Sequence, residues 1–497
     1  MENAFSLGGG PYIPPRPGGL LKGGETLNAI QQALIYLTST NGQVTSQILK
    51  DLISDHAPRA AKMRSLYKRY KAEQDGVPIF TRTFEDDNKI NNKLNNDFFS
   101  DIVDTKVGYF AGEPIAYGLD KTNYTGEDGE LNETDYYKHL GVIDKFKIHN
   151  NVDDLDAETA KMAAICGYAA RLCYIDRDGY ERVINIAPWE CIFVSDRSIG
   201  EPQYALRYYT IIDNGEETTR VEWYDYTTVT FYVLRGDEYV LDDTEDAKPH
   251  LFERVPLIEF PNNDERLGDA EKVLSLIDGY DRTISDVNSE IEQFRLAYMV
   301  FYGAEITKDV IDEARRTGAF SIPNFDGNEK AEFMTKNLND ATIENHLNRL
   351  EENIMRFAKS VNFSDDNFAG QASGVALKFK MLGLESKCII SERKMTSALR
   401  QQFKIVGSAW EKKGINIDFS NFVFQFKRNF PLDIQSEATA TALLRGHVSE
   451  QTRLSLLSFV DDAEYERELM QKEVDEAGSV NLDHWLGGDE DEPEQET

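Results

Sequence analysis

The sequence predicts an α+β chain of several lobes, and three observations carry that prediction. Apolar residues recur with a period near 3.6 from Leu27 to Tyr70, switch to a period of two between residues 170 and 243, and form two heptad seams beyond Pro261. At 497 residues the chain can bury more than one core. A hydrophobic share of 41% without any run of eighteen apolar residues suits a chain made and kept in the cytosol. The start, "MENAFSLGGGPYIPPRPGGLLKGG", lacks the basic beginning and apolar middle of a secretory signal.

The first elements in order are helices in "NAIQQALIYL" and "SQILKDLISDHAPRAAKMRSLYKRYK", with Pro58 expected to end one helix and begin the next. Arg59, Lys62, Arg64, Lys68, Arg69 and Lys71 read as the solvated face of an amphipathic helix, a DNA-contacting patch being the alternative. Helices follow around "NNDFFSDIVDTKVGYFAG" and "DAETAKMAAICGYA". Then "ARLCYID" and "YERVINI" flank Asp178-Gly179 as a hairpin, and "CIFVSD", "YALRYYTII", "RVEWYDY", "TVTFYVLR" and "YVLDD" continue as an antiparallel meander. Asn214-Gly215 and Gly236-Asp237 mark its turns.

Beyond Pro261, Val273, Ile277, Tyr280, Ile284, Val287, Ile291, Phe294 and Tyr298 alternate at spacings of four and three, an unbroken heptad seam. The opposite face holds Asp278, Asp281, Ser285, Ser289 and Glu292. A second stripe runs through Ile343, Leu347, Leu350, Ile354, Phe357 and Val361, so the two helices are expected to pair antiparallel. Between them "MVFYG", a helix "TKDVIDEARRTG", and "AFSIP" and "AEFMT" around Asp326-Gly327 form a small α/β unit, too small to be stable alone and expected to complete its core with a second copy of the chain. A loop of Asn362 to Ser373 follows, with Gly370 and Gly374 permitting unusual backbone angles and Ser373 as candidate helix cap. From Val375 to Lys413 the pattern is helical and free of proline, with Gly383 and Gly407 as candidate bends, a span of roughly 60 Å. "INIDFSNFVFQFKRNF" returns as strand. Residues 435–477 are helical again, with Leu443, Leu444, Leu454, Leu456, Leu457 and Phe459 as apolar anchors.

The formal net charge of −33 argues against a protein whose task is to grip nucleic acid, since that affinity comes from Lys and Arg displacing counterions. Gly487 to Thr497 carries six acidic residues and no basic one and reads as a disordered end, like the Gly- and Pro-rich start over residues 1–24. Cys166, Cys173, Cys191 and Cys388 fit neither zinc nor redox spacing and read as small buried apolar residues.

Signals of catalysis fail in turn. "GQASGVALK" ends in lysine but lacks the GxxxxGK[ST] spacing, so no nucleotide is expected there. The seven histidines form no HxxxH or HExxH, and no GxSxG occurs. The sequence therefore predicts no catalytic, cofactor-binding or metal-binding residue.

The order of parts, with "HAPRAAKMRSLYKRYKAE", "NNDFFSDIVDTKVGYFAGEPI" and "FAGQASGVALKFKMLGLE", resembles the portal proteins of tailed bacteriophages, in the branch of long-tailed phages of Gram-positive hosts, from about Ile48 to Glu476. That resemblance implies a portal-type fold. Residues 25–260 with 375–430 would be an α/β wing, 261–298 and 340–361 a two-helix stem, 299–339 a small clip, and 431–477 a helical crown. A tunnel loop of Asn362, Phe363, Ser364, Asp365, Asp366, Asn367, Phe368, Ala369, Gly370, Gln371, Ala372, Ser373 and Gly374 would project into a DNA channel, carried by a long helix. Asp278, Asp281 and Glu292 would be channel-facing candidates, and Ile322 and Phe333 clip assembly contacts. The resemblance also implies a non-enzymatic ring homo-oligomer, usually of twelve subunits, in the virion capsid and assembled in host cytoplasm. Its implied partners are double-stranded DNA passing without sequence specificity, the terminase large subunit, a head-tail adaptor, and major capsid and scaffolding proteins, with no membrane. The alternatives are a head-associated adaptor without a channel and an enzyme of the packaging machinery, which the missing phosphate loop disfavours.

Overall fold

The structure is a computed structural model that describes residues 28–85, 89–126, 131–195, 201–213, 215–294, 298–302, 330–334, 340–362, 379–429 and 434–457, with single positions and short runs at 308–312 and 460–474. The chain divides into two compact units, one of Met1–Asn362 with Gly383–Arg428 and one of Phe363–Leu382 with Asn429–Thr497. The expected disordered arm and acidic tail lie outside the described residues.

In the larger unit, α1 (Ala29–Ser39) opens with a capping box in which Asn28 and Gln31 satisfy each other's backbone N–H. The next helix, α2 (Ser46–Tyr70), runs through Pro58 without a break, against the sequence expectation. Its two halves sit in different cores: Leu49 and Leu52 pack with Leu206 and Trp223, while Met63 and Leu66 pack with Phe99, Val273 and Ile277. Burial at both ends holds the helix together, and because Pro58 and Ser54 are exposed, the Ser54 carbonyl that proline leaves unbonded can meet water. The helix α3 (Phe98–Ala111), strand β1 (Ala116–Leu119) and helices α4 (Glu133–Asn150) and α5 (Val152–Cys166) follow.

The expected hairpin is β2 (Tyr168–Ile175) and β3 (Glu181–Ile186), with Gly179 at φ +81° in its turn. The meander is β4 (Cys191–Val194), β5 (Tyr204–Asp213), β6 (Glu216–Tyr224), β7 (Thr228–Arg235) and β8 (Glu238–Leu241), neighbours in that order, with the short β9 (Lys248–Pro249) against β7. Strand β10 (Leu257–Pro261) returns to β2 and makes a separate three-stranded sheet with β2 and β3. All four cysteines are free and buried, as their spacing suggests.

Helix α6 (Leu274–Phe294) carries the first heptad seam but ends four residues before Tyr298, which begins strand β11 (Tyr298–Tyr302). That strand pairs antiparallel with β12 (Lys330–Met334), placing Met299 opposite Phe333. Ile322 and most of the expected small helix fall outside the described residues. Helix α7 (Asp340–Ala358) packs along α6, and the seam is dry only near the body: Val273, Ile277, Ile354 and Ala358 are buried, whereas Ile291 towards the far end is 50% exposed; Phe357, beside Ala358, lies off the seam and is 56% exposed. Ala358 therefore takes the seam position expected for Phe357.

Helix α8 (Leu382–Lys412) spans about 46 Å at 1.5 Å per residue and passes through Gly407 without interruption. It enters the body through Phe403, which stacks on Phe422 at 4.1 Å between ring centroids and meets Tyr117 and Phe146. Phe422 opens β13 (Phe422–Gln425), the return strand, paired with β1. The fully buried Arg171 crosses from β2 to donate to Gln402 Oε1, Asp156 Oδ1, Thr159 Oγ1 and the Leu155 carbonyl, so the cation has a partner on both sides. In the smaller unit, α9 (Ile434–Leu443) and α10 (Glu450–Leu454) are short. Leu454 is buried, but Leu443 and Leu456 are exposed, so those two do not anchor it; Phe459 lies outside the described residues.

Two glycines fix close approaches at the foot of α6. A Cβ on Gly167, at φ +87°, would lie 2.1 Å from the Arg266 carbonyl oxygen, and one on Gly268 would lie 2.3 Å from that of Ile165. Backbone on both sides leaves nothing to rotate aside. Gly268→Ala is expected to lower the unfolding free energy by about 3 kcal/mol, whereas Gly141→Ala, on α4 with open space around it, should raise it by about 0.5–1 kcal/mol; urea unfolding of the two variants checks the contrast.

Candidate functional site

Helix α6 leaves the body at the turn containing Asn262 and Asp269, and three distant segments converge there. Asp269 is buried and receives Lys106 Nζ from α3 at 2.9 Å and Lys387 Nζ from α8 at 2.8 Å. Lys106 also donates to Asn262 Oδ1 at 2.6 Å, and Lys387 to the Ala358 carbonyl at the end of α7 at 2.8 Å. Burial alone would raise the Asp269 pKa, but the two ammoniums outweigh it and hold the carboxyl below its ordinary range. Burial lowers Lys387 in turn. The Asp269 N–H donates to the Ala164 carbonyl and the Asn262 N–H to that of Gly167, so the turn is also tied to the end of α5.

Above this turn, the polar face of α6 holds an extended segment of the same chain. The backbone N–H groups of Asn96, Leu94 and Asn92 donate in order to Asp281 Oδ1 (3.0 Å), Ser285 Oγ (2.9 Å) and Ser289 Oγ (3.0 Å). Every second residue of an extended chain advances about 6.6 Å and every fourth residue of a helix about 6.0 Å, so the two repeats stay in register for three rungs. Ion pairs flank the ladder: Arg69 with Asp278, and Arg82 Nη1 with Asp286 at 2.6 Å. At its far end Asn92 Nδ2 donates to Glu292 Oε2 at 2.9 Å.

These contacts place the three acidic candidates differently. Asp281 is 1% exposed, with its pKa raised by burial, and its carboxylate is engaged by Asn96 of its own chain. It therefore leaves the set of residues that could face a channel. Asp278 is half-buried beside Arg69, and Glu292 is exposed. The basic face of α2 stays largely exposed while most of its charges have partners within the chain: Lys62 pairs with Glu271, Lys68 with Asp75, Lys71 just past the helix with Glu73, and the Arg59 guanidinium lies 4.8 Å over the Tyr168 ring; Arg69, paired with Asp278, is buried. Asn362, at the start of the expected loop, donates to Glu351 Oε1 at 2.8 Å, and residues 363–374 lie outside the described residues. Phe333 is placed by its backbone in β12.

The profile of the family described as "Phage portal protein, SPP1 Gp6-like" matches residues 49–479. The chain belongs to this phage portal family. It is 25% identical over 500 residues to the portal protein of Bacillus phage SPP1, covering 94% of each chain. It is 22% identical over 465 residues to the portal protein of Clostridium phage phiCD119, covering 88% of this chain and 98% of that one. Portal proteins are structural, capsid-associated components of phage virions, and the hosts named are Gram-positive, as the sequence resemblance implies. Among the described residues of this portal-family chain, no group of three or more His, Cys, Asp or Glu is placed to hold a metal ion, and no helix is long and apolar enough to cross a membrane.

Sequence reasoning missed Asn92, Leu94 and Asn96, Lys106, Lys387 and Asp269. Ser285 and Ser289, hydroxyls four apart on a face otherwise acidic, were the available signal for the ladder. Because the folded Asp269 carboxyl sits below its unfolded value, its pairing stabilises the fold above about pH 4 and is lost as pH falls through the folded pKa. Asp269→Asn should therefore cost about 3–5 kcal/mol at pH 7, with the deficit shrinking below about pH 4. Urea midpoints from pH 7 to pH 3 test this, and a deficit independent of pH would contradict it.

Proposed function

We propose that the chain assembles into a ring of about twelve copies at one capsid vertex, forming the channel through which double-stranded DNA is packaged and ejected. The match to the portal family across residues 49–479 carries this reading. In it, residues 25–260 and 375–430 form the wing, 261–298 and 340–361 the stem, 299–339 the clip and 431–477 the crown. The ring nucleates procapsid assembly with major capsid and scaffolding proteins, and docks first the terminase large subunit and then a head-tail adaptor.

Two physical features support it. The outer part of the α6–α7 pair leaves Ile291 exposed and Ile284, Val287, Ile343 and Leu347 only half-covered, apolar surface of the kind a neighbouring copy covers. The charge of −33 makes a duplex inside the ring meet repulsion, so it slides and does not stick. Residues Asn362 to Gly374 then act as the short element nearest the DNA, with α8 as the lever that anchors it in the wing.

Negative-stain electron microscopy with light-scattering mass on the same sample tests the proposal. Rings with a central hole and a mass of about 680 kDa, twelve times 56.5 kDa, are expected. Phe333→Asp or Ile322→Asp should abolish them if the clip makes subunit contacts. A stable monomer at high concentration would contradict the ring.

A further inference from the structure

Beside Asp269 the structure holds a recess of about 270 Å³ whose lining includes four lysines, Lys106, Lys272, Lys359 and Lys387, against two carboxylates, Glu265 and Asp269. In a chain of net charge −33 this is a local excess of positive charge, and it is not confined to the surface. The side chains of Lys106 and Lys387 are 4% and 17% exposed, and they share the single carboxylate of Asp269. One positive charge at the back of the recess is thus left without a counter-charge, and an uncompensated buried ammonium is costly.

Donor capacity is left over as well. An ammonium has three N–H groups. Lys387 directs one to Asp269 and one to the Ala358 carbonyl, and Lys106 one to Asn262 while facing Asp269. Each therefore retains an N–H for a further acceptor. Lys359 at the rim has φ +54°, a left-handed backbone where glycine or asparagine is usual. Lys272 and Lys359 are both exposed, so an anion entering the recess meets them first.

We propose that this recess binds a small tetrahedral oxyanion, inorganic phosphate or sulfate, which neutralises the surplus ammonium and ties α3, α8 and the end of α7 to the turn that precedes α6. The phosphodiester of a duplex has the same chemistry, but its flanking sugars prevent it from following a free anion to a lysine that is 4% exposed. This inference concerns residues within one chain and stands whether or not the ring forms.

The test titrates the full chain, freed of oxyanions in chloride buffer, with inorganic phosphate at constant ionic strength, reading thermal melting and phosphorus-31 line width. A saturable rise in Tm and line broadening reversed by sulfate are expected. Lys359→Gly suits the left-handed backbone and keeps the fold, checked by circular dichroism. It should weaken phosphate binding by about two- to fivefold, and Lys272→Gln likewise. Equal stabilisation by added chloride, no saturable binding, or unchanged affinity in both variants would overturn the proposal. Stoichiometric displacement of phosphate by a short duplex oligonucleotide would assign the recess to the DNA backbone and overturn it as a small-anion site.

Discussion

The buried carboxylate of Asp269, held between Lys106 and Lys387, is the constraint on which the placement of the helix pair depends. Its partners lie more than 100 residues away on either side, on α3 and α8, and Lys387 reaches on to the last carbonyl of α7. Three helices thus meet at one charge. Burying any one of these ions alone would cost several kcal/mol, so the arrangement holds only when all three segments are in place. Gly268 sets the depth of this point, because its missing side chain lets the turn rest on the Ile165 carbonyl.

Once the foot of α6 is fixed, its direction is fixed by the ladder to Asn92, Leu94 and Asn96. Apolar packing alone would let two helices slide by a turn, since a heptad seam repeats along its length. The backbone donors matched to Asp281, Ser285 and Ser289 tie α6 to a third segment, and a slide of α6 by one turn would leave one end of that ladder unpaired. The consequence for function is that the polar face of α6 is partly an internal joint. Glu292 closes the far end of that joint through Asn92 while remaining exposed, whereas Asp281 is enclosed by it.

Local periodicity made much of this fold legible. The alternation in "TVTFYVLR" and the turn at Asp178-Gly179 each give the strand or hairpin observed, and the long proline-free run gives α8. What could not be read is whatever depends on a partner distant in the chain. Pro58 looked like a break because the two cores gripping α2 are not visible in its own sequence. Tyr298 fits a heptad position, yet it begins a strand and pairs with Met334, far along the chain. Asp281 looked like surface charge because acidic residues usually are; only its contact with Asn96, 185 residues earlier, shows otherwise. The basic side chains of α2 do form a largely solvated face, as their spacing suggests, with Arg69 the buried exception.

The structural joint between the polar face of α6 and the segment at 91–96 is open to amide hydrogen exchange at single-residue resolution. Slow exchange is expected at Asn92, Leu94 and Asn96, alternating with faster exchange at Lys93 and Asn95. Uniformly fast exchange across 91–96 would contradict that joint and return Asp281, Ser285 and Ser289 to the exposed surface.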